Sequence, residues 1–195
     1  YDCHNLMCKV GEVVVSGGVR RSAMISLSNL SDGRMRHAKS GQWWETTPQM
    51  ALANNSVCYT DKPDGETFLR EWTSLVESKS GERGIFNRIS AQEQAKKFGR
   101  RDPDHEFGTN PCSEIILRPY QFCNLTEVVI REKDKFEDLK RKVMLATILG
   151  TIQSTLTKFP YLRKVWKDNT EEERLLGVSL TGIMDNELTS GKKHG

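Results

Sequence analysis

Gly108-Thr109-Asn110-Pro111-Cys112-Ser113-Glu114-Ile115-Ile116-Leu117 is the stretch on which the reading of this sequence turns. Residues 111–117 and 122–131 are two strand-like segments separated by Arg118-Pro119-Tyr120, a pattern that predicts a hairpin. In an extended chain alternate side chains share a face, so Asn110, Cys112 and Glu114 would project together as an amide, a thiol and a carboxylate. Pro111 fixes one backbone angle beside the thiol. A strand cysteine is more often a small core hydrophobe than a reactive group. Here an amide and a carboxylate on its face argue for a site, because burying Glu114 without a partner or a task is costly. Cys123 follows eleven residues later on the returning strand, and the hairpin would bring it toward register with Cys112. Two thiols and a carboxylate point to redox or radical chemistry more than to hydrolysis.

Working outward, the longest helical pattern spans residues 136–158, with Leu139, Val143, Ala146, Leu149 or Gly150, Ile152 and Leu156 on one face and Pro160 as its stop. Asn169 or Thr170 is expected to cap a charged turn before Leu175, Leu176, Val178 and Leu180. Upstream, residues 90–106 carry many charges without an apolar period and read as a short helix passing into a solvated loop. Phe68, Trp72, Leu75 and Val76 predict an amphipathic helix over 66–77. A short strand at 57–59 follows Asn54-Asn55, and residues 32–48 read as a loop or short helix. Leu6, Val10, Val13 and Val14 predict a helix over 5–15, broken by Ser16-Gly17-Gly18 and followed by a strand over 22–30 with one buried face. Strands interspersed with helices make the predicted class α/β.

The composition of the 195 residues, 36% hydrophobic and 28% charged, is that of a packed globular protein. No apolar run is long enough to span a bilayer and no signal peptide is legible, so a cytoplasmic location without a membrane partner is expected. The 29 basic and 26 acidic residues are too balanced for a nucleic-acid footprint. Five cysteines, at 3, 8, 58, 112 and 123, are an odd set that argues against a disulfide framework.

The stretches 110–117 and Phe122-Cys123-Asn124-Leu125-Thr126-Glu127 resemble the active-site segments of ribonucleotide reductases, closest to the adenosylcobalamin-dependent (class II) branch. Ser16-Gly17-Gly18-Val19-Arg20-Arg21-Ser22-Ala23 resembles the family's specificity loop, residues 80–87 its Gly-Glu-Pro-Gly-type segment, and residues 176–185 a later core segment, all in family order. The resemblance implies that the chain is part of the family's ten-stranded α/β barrel, with 1–195 a partial catalytic domain incomplete at both ends. It implies ribonucleotide reduction to 2′-deoxyribonucleotides, supplying DNA precursors, with triphosphate substrates favoured and diphosphates the alternative. Cys112 would carry the thiyl radical that abstracts the 3′ hydrogen, Glu114 would accept the 3′-hydroxyl proton, and Asn110 would hydrogen-bond the ribose. Cys123 would be one half of the dithiol that reduces the sugar. Ser16, Gly17, Gly18, Val19, Arg20 and Arg21 would lie between a nucleotide effector and the substrate base, the two glycines permitting unusual backbone angles. Implied with these are adenosylcobalamin, whose binding residues are not legible, and a thioredoxin-like dithiol reductant.

Two departures from the family pattern are visible. Arg83 stands where proline is usual, and the partner cysteine of Cys123, the phosphate-binding loop and the C-terminal thiol pair have no counterpart, so the chain alone is expected to be inactive. A metal-binding module built on Cys3, His4, Cys8, Cys58 and His37 lacks paired C-x-x-C spacing, and no metal is expected. The stronger rival is a non-catalytic fragment that works only against the missing segments.

Overall fold

The helical spacing near the start of the chain is realised as α1 (Asp2–Ser16), which buries His4 and Cys8. Cys8 packs with Ala38, Met50 and Ala53 into one small core. The computed structural model describes residues 1–19 and 21–191; Arg20 and residues 192–195 lie outside the described residues. The chain divides into two units, Tyr1–Pro119 and Tyr120–Gly195.

In the first unit β1 (Met24–Ser28), β2 (Ala53–Tyr59) and β3 (Gly84–Asn87) form a parallel sheet in the order β1-β2-β3. Parallel neighbours need long crossovers. Here they run through α2 (Gly33–Arg36) and α3 (Trp43–Thr46), then through α4 (Gly65–Ser78). β1 is shorter than the predicted 22–30 and has no single buried face, since all five residues are half-buried. β2 begins four residues before the predicted strand and runs straight through Asn54-Asn55. There Asn54 pairs with Ile25 and Asn55 with Ser26 of β1, and that pairing overrides the low strand preference of asparagine. α5 (Arg88–Phe98) follows β3 and is capped by the Asn87 side chain, which accepts from the Ser90 amide; beyond it comes the expected irregular charged stretch.

α4 forms where the apolar spacing predicts, but it buries the other side. Phe68, Trp72 and Val76 are 39%, 50% and 61% exposed, whereas Glu71 is 3% exposed. The reason is charge pairing. Arg36 Nε donates to Glu71 at 2.7 Å, and Arg83 donates from Nε at 3.1 Å and from Nη2 at 2.9 Å. Arg83 is equally buried, and its Nη1 also donates to Ser28 Oγ at 2.8 Å and to the Asn29 carbonyl at 2.9 Å. Burial alone would push the Glu71 carboxyl up; the hydrogen bonds and charges of Arg83 and Arg36 outweigh it and hold the group below its usual range. Arg83 is thus the fork that ties α4 to the end of β1.

In the second unit β6 (Asn124–Val129) pairs parallel with β7 (Leu176–Thr181), across α6 (Phe136–Ser154) and α7 (Lys164–Glu173). The predicted hairpin between 111–117 and 122–131 therefore does not form. Thr126, Val128 and Ile130 are buried, and Val128 and Ile130 cluster with Ala146 of α6, packed against Val178 of β7. A strand that packs on the helix following it is committed to a crossover, and its partner must come from beyond that helix. α6 turns Ala146, Gly150 and Ser154 inward, while Leu149, Ile152 and Leu156 of the predicted buried face are 59–69% exposed. It also ends at Ser154, short of Pro160. Thr151, Ser154 and Thr155 each send a hydroxyl to a carbonyl three or four residues back, which competes with the last helical turn. Asn169 and Thr170 do not cap a turn but lie inside α7, where Thr170 Oγ1 donates to the Trp166 carbonyl at 2.7 Å.

The class is α/β, with small parallel sheets; among the described residues no barrel closes. Among them, too, no helix is long and apolar enough to cross a membrane.

Glu71→Gln leaves the buried Arg83 guanidinium without its counter-charge and is expected to destabilise the chain by about 3–5 kcal/mol in urea unfolding. Acid should act through the same group. Because the Glu71 carboxyl is depressed on folding, its contribution is complete above the ordinary glutamate range and is lost as pH falls through and below that range. The pH-dependent loss should shrink in Glu71→Gln.

Candidate functional site

The stretch 108–117 is a hairpin in its own right. β4 (Gly108–Thr109) pairs antiparallel with β5 (Ile116–Leu117), Gly108 opposite Leu117 and Thr109 opposite Ile116. Its base is anchored by Phe107, which is fully buried, with Arg101 4.8 Å above its ring and Arg88 Nε donating to its carbonyl at 2.8 Å. Arg101 Nη1 donates to the Ile116 carbonyl at 2.9 Å.

Residues 110–115 form the connecting loop rather than an extended strand, so the shared face expected of Asn110, Cys112 and Glu114 from period-two alternation does not exist. The backbone turns because the Ser113 amide donates to the Asn110 carbonyl at 3.0 Å and Ser113 takes a φ of 66°, a left-handed conformation unusual for a residue other than glycine. The Asn110 amide donates to the Ile115 carbonyl at 3.3 Å, and Asn110 Oδ1 accepts from the Ile115 amide at 3.0 Å. Asn110-Pro111, a turn-favouring dipeptide, is the sequence signal that identifies this loop.

Proximity survives although the strand does not. Cys112, Ser113 and Glu114 stand exposed at the loop tip, with Asn110 half-buried at its root. Because Asn110 spends its oxygen on Ile115 and on Thr109 Oγ1 at 3.4 Å, its Nδ2 is the end left to donate outward. Asn54, which precedes the predicted strand 57–59, also touches the loop: its Nδ2 donates to the Pro111 carbonyl at 2.9 Å.

Cys123 belongs to the second unit, half-buried at the start of β6, with its thiol donating to the Asn124 carbonyl at 3.6 Å. Beside it Phe122 stacks on Trp166 at 4.6 Å and meets Phe159 at 5.1 Å. Of the loop 16–21, Ser16 closes α1 with its hydroxyl on the Glu12 carbonyl at 2.9 Å. Gly17 keeps an ordinary helical angle and only Gly18 uses a positive φ, of 71°, so a single glycine makes the turn. Val19 is 91% exposed and Arg21 is exposed; Arg20 lies outside the described residues.

The remaining cysteines differ in kind. Cys3 is exposed, while Cys8 and Cys58 are buried, and burial pushes both of those thiols up. His4 Nε2 lies 3.6 Å from Cys8 Sγ, and burial, followed by the positive N-terminus and Lys39, lowers the imidazole's affinity for a proton. Among the described residues no cluster of three or more His, Cys, Asp or Glu side chains is placed to hold a metal ion.

Comparison with known proteins finds relatives among the adenosylcobalamin-dependent ribonucleoside-triphosphate reductases. The chain is 34% identical over 186 residues to the adenosylcobalamin-dependent ribonucleoside-triphosphate reductase of Lacticaseibacillus paracasei, covering 90% of this chain and 23% of that protein. It is 31% identical over 198 residues to the protein of the same name from Lactobacillus leichmannii, covering 96% and 25%. With that of Lactobacillus gasseri the identity is 30% over 193 residues, covering 94% and 24%. Nearly the whole chain is thus homologous to these reductases, and it spans about a quarter of the length of the curated relatives it matches. No family model and no solved structure matches the chain.

Burial sorts the thiols into two groups. Brief iodoacetamide treatment of the native chain, read by peptide mass spectrometry, should label Cys112 and Cys3 first and leave Cys8 and Cys58 unlabelled until urea unfolds the protein. Labelling of Cys58 at the rate of Cys112 would contradict the assigned burial.

Proposed function

We propose that this chain supplies the sugar-reducing loop of an adenosylcobalamin-dependent ribonucleoside-triphosphate reductase. The observation that carries the reading is the loop 110–115, which gathers a donor amide, an exposed thiol and an exposed carboxylate within five residues of a chain homologous to those reductases. Cys112 is the thiol that, as a thiyl radical, takes the 3′ hydrogen of the ribose. Glu114 accepts the 3′-hydroxyl proton, and Asn110 Nδ2 donates to the sugar. The 2′-hydroxyl then leaves as water, and a dithiol that includes Cys123 delivers two electrons by closing to a disulfide, which a thioredoxin-like protein reopens. The exposed turn of Ser16, Gly17, Gly18, Val19 and Arg21, with Arg20, is the segment that would lie between an effector nucleotide and the substrate base. The parallel strand and helix units are read as part of a ten-stranded α/β barrel, with 1–195 a portion of its catalytic domain. The location that suits this reading is the cytoplasm.

Dependence on adenosylcobalamin comes with the relatives' names. Cys112, Ser113 and Glu114 stand exposed at a loop tip and offer no enclosed apolar wall on which a corrin could seat, so these residues do not fit a cradle for the cofactor and are assigned to the sugar alone. A second reading, that the chain acts only when packed against further segments of the same enzyme, is favoured by the uncovered apolar faces of α4 and α6.

The test is to join this chain in frame into the matching quarter of the Lactobacillus leichmannii relative and assay deoxyribonucleotide formation with a ribonucleoside triphosphate, adenosylcobalamin and a dithiol. Cys112→Ser should abolish product, and Glu114→Gln should lower kcat by about 10² to 10⁴. Undiminished product from Cys112→Ser would overturn the reading. Faster turnover of diphosphates would correct the substrate.

A further inference from the structure

We infer that Asn54 is a positioning residue for the Cys112 loop, held in its working rotamer by Ser56 and, behind it, by the space that Gly84 leaves open. This rests on the role proposed for Cys112. Asn54 lies on the central strand β2, and its Nδ2 donates to the Pro111 carbonyl at 2.9 Å. That carbonyl belongs to the peptide leading into Cys112, so the bond fixes the plane from which the thiol-bearing residue departs. The rest of the loop is fastened from within, by Asn110 on Ile115 and Ser113 on Asn110. Asn54 ties the loop to the sheet at Pro111, just before its tip, across more than fifty residues of sequence.

An amide can present either its oxygen or its nitrogen, and Ser56 decides which. Two residues along the same face of β2, Ser56 Oγ donates to Asn54 Oδ1 at 3.1 Å, which turns Nδ2 toward Pro111. Gly84 of β3 stands directly beside Ser56 in the parallel register. A Cβ on Gly84 would lie 2.9 Å from Ser56 Oγ, so any larger residue would displace the hydroxyl that orients Asn54. The neighbouring strand is placed to match: a Cβ on Gly108 would lie 3.6 Å from the Leu27 side chain, and Leu27 pairs with Ser56. The segment around Gly84 thereby reaches the thiol loop through two side chains, without touching it.

Two measurements test this, one independent of activity. In the full 195-residue chain, amide exchange at Ser113 and Ile115 should rise about tenfold in Asn54→Ala while the amides of α4 stay protected. Asn54→Asp, which sets an oxygen against the Pro111 carbonyl, should do at least as much, and Ser56→Ala should do less in the same direction. In the in-frame reductase described above, Asn54→Ala should lower kcat by roughly tenfold or more with KM within about twofold, the split expected when a reacting group is misplaced and substrate binding is not. Unchanged exchange at Ser113 and Ile115 in both Asn54→Ala and Asn54→Asp would overturn the inference, as would faster exchange with unchanged kcat. If the unsubstituted in-frame enzyme makes no deoxyribonucleotide, the reductase reading fails instead, and exchange alone decides whether Asn54 holds the loop.

Discussion

A carboxylate that is 2% exposed at its side chain, facing a guanidinium that is 1% exposed, is the interaction on which the first unit depends. Neither Glu71 nor Arg83 tolerates burial alone: removing Glu71 leaves Arg83 without its counter-charge, and removing Arg83 leaves Glu71 with Arg36 only. Their pairing fixes more than α4. Arg83 immediately precedes β3 and reaches the end of β1 through Ser28 and Asn29, so it holds the outer strands in register on the central one. Glu82, its neighbour, accepts from the Asn55 amide at 3.0 Å and from Lys39 at 2.9 Å, and Lys39 also donates to the Ala53 carbonyl. With that register set, Gly84 lies beside Ser56, Ser56 orients Asn54, and Asn54 holds the peptide before Cys112. A buried ion pair thus stands several contacts upstream of an exposed thiol.

Helical periodicity made α1, α4 and α6 legible, because apolar spacing at three and four residues is a local property. What each helix buries was less legible. Phe68, Trp72 and Val76 mark an apolar stripe on α4, yet Glu71 is the buried residue, since its partners Arg36 and Arg83 are 35 and 12 residues away and pairing at that distance leaves no periodic trace. On α6 the small residues Ala146, Gly150 and Ser154 face the sheet, while the larger Leu149 and Ile152 stay exposed. Strand pairing was the least local property of all. The choice of β7 as the partner of β6 is made some fifty residues downstream, and a nearby turn at 118–120 was an equally good local signal for a hairpin.

The candidate site was legible as a set of residue types and misread as a geometry. Alternation would have placed Asn110, Cys112 and Glu114 on one strand face, whereas Pro111 and the positive φ of Ser113 fold them into a loop. The loop suits the proposed chemistry better, since it presents a thiol and a carboxylate outward while the Asn110 oxygen is retained to hold the turn. Cys8 and Cys58, equal to Cys112 in composition, are separated from it by burial and by raised thiol affinity for the proton. Nearly the whole chain is similar to reductases about four times its length, whose names describe ribonucleotide chemistry.

The central claim is that Cys112 removes the 3′ hydrogen of the sugar, and hydrogen isotope substitution at that position tests it most directly. With this chain joined in frame into the Lactobacillus leichmannii relative, a ribonucleoside triphosphate carrying deuterium at C3′ should be reduced more slowly than the protiated substrate, and no product should form from either when Cys112 is serine. Identical rates for the two substrates, with product persisting in Cys112→Ser, would contradict the account.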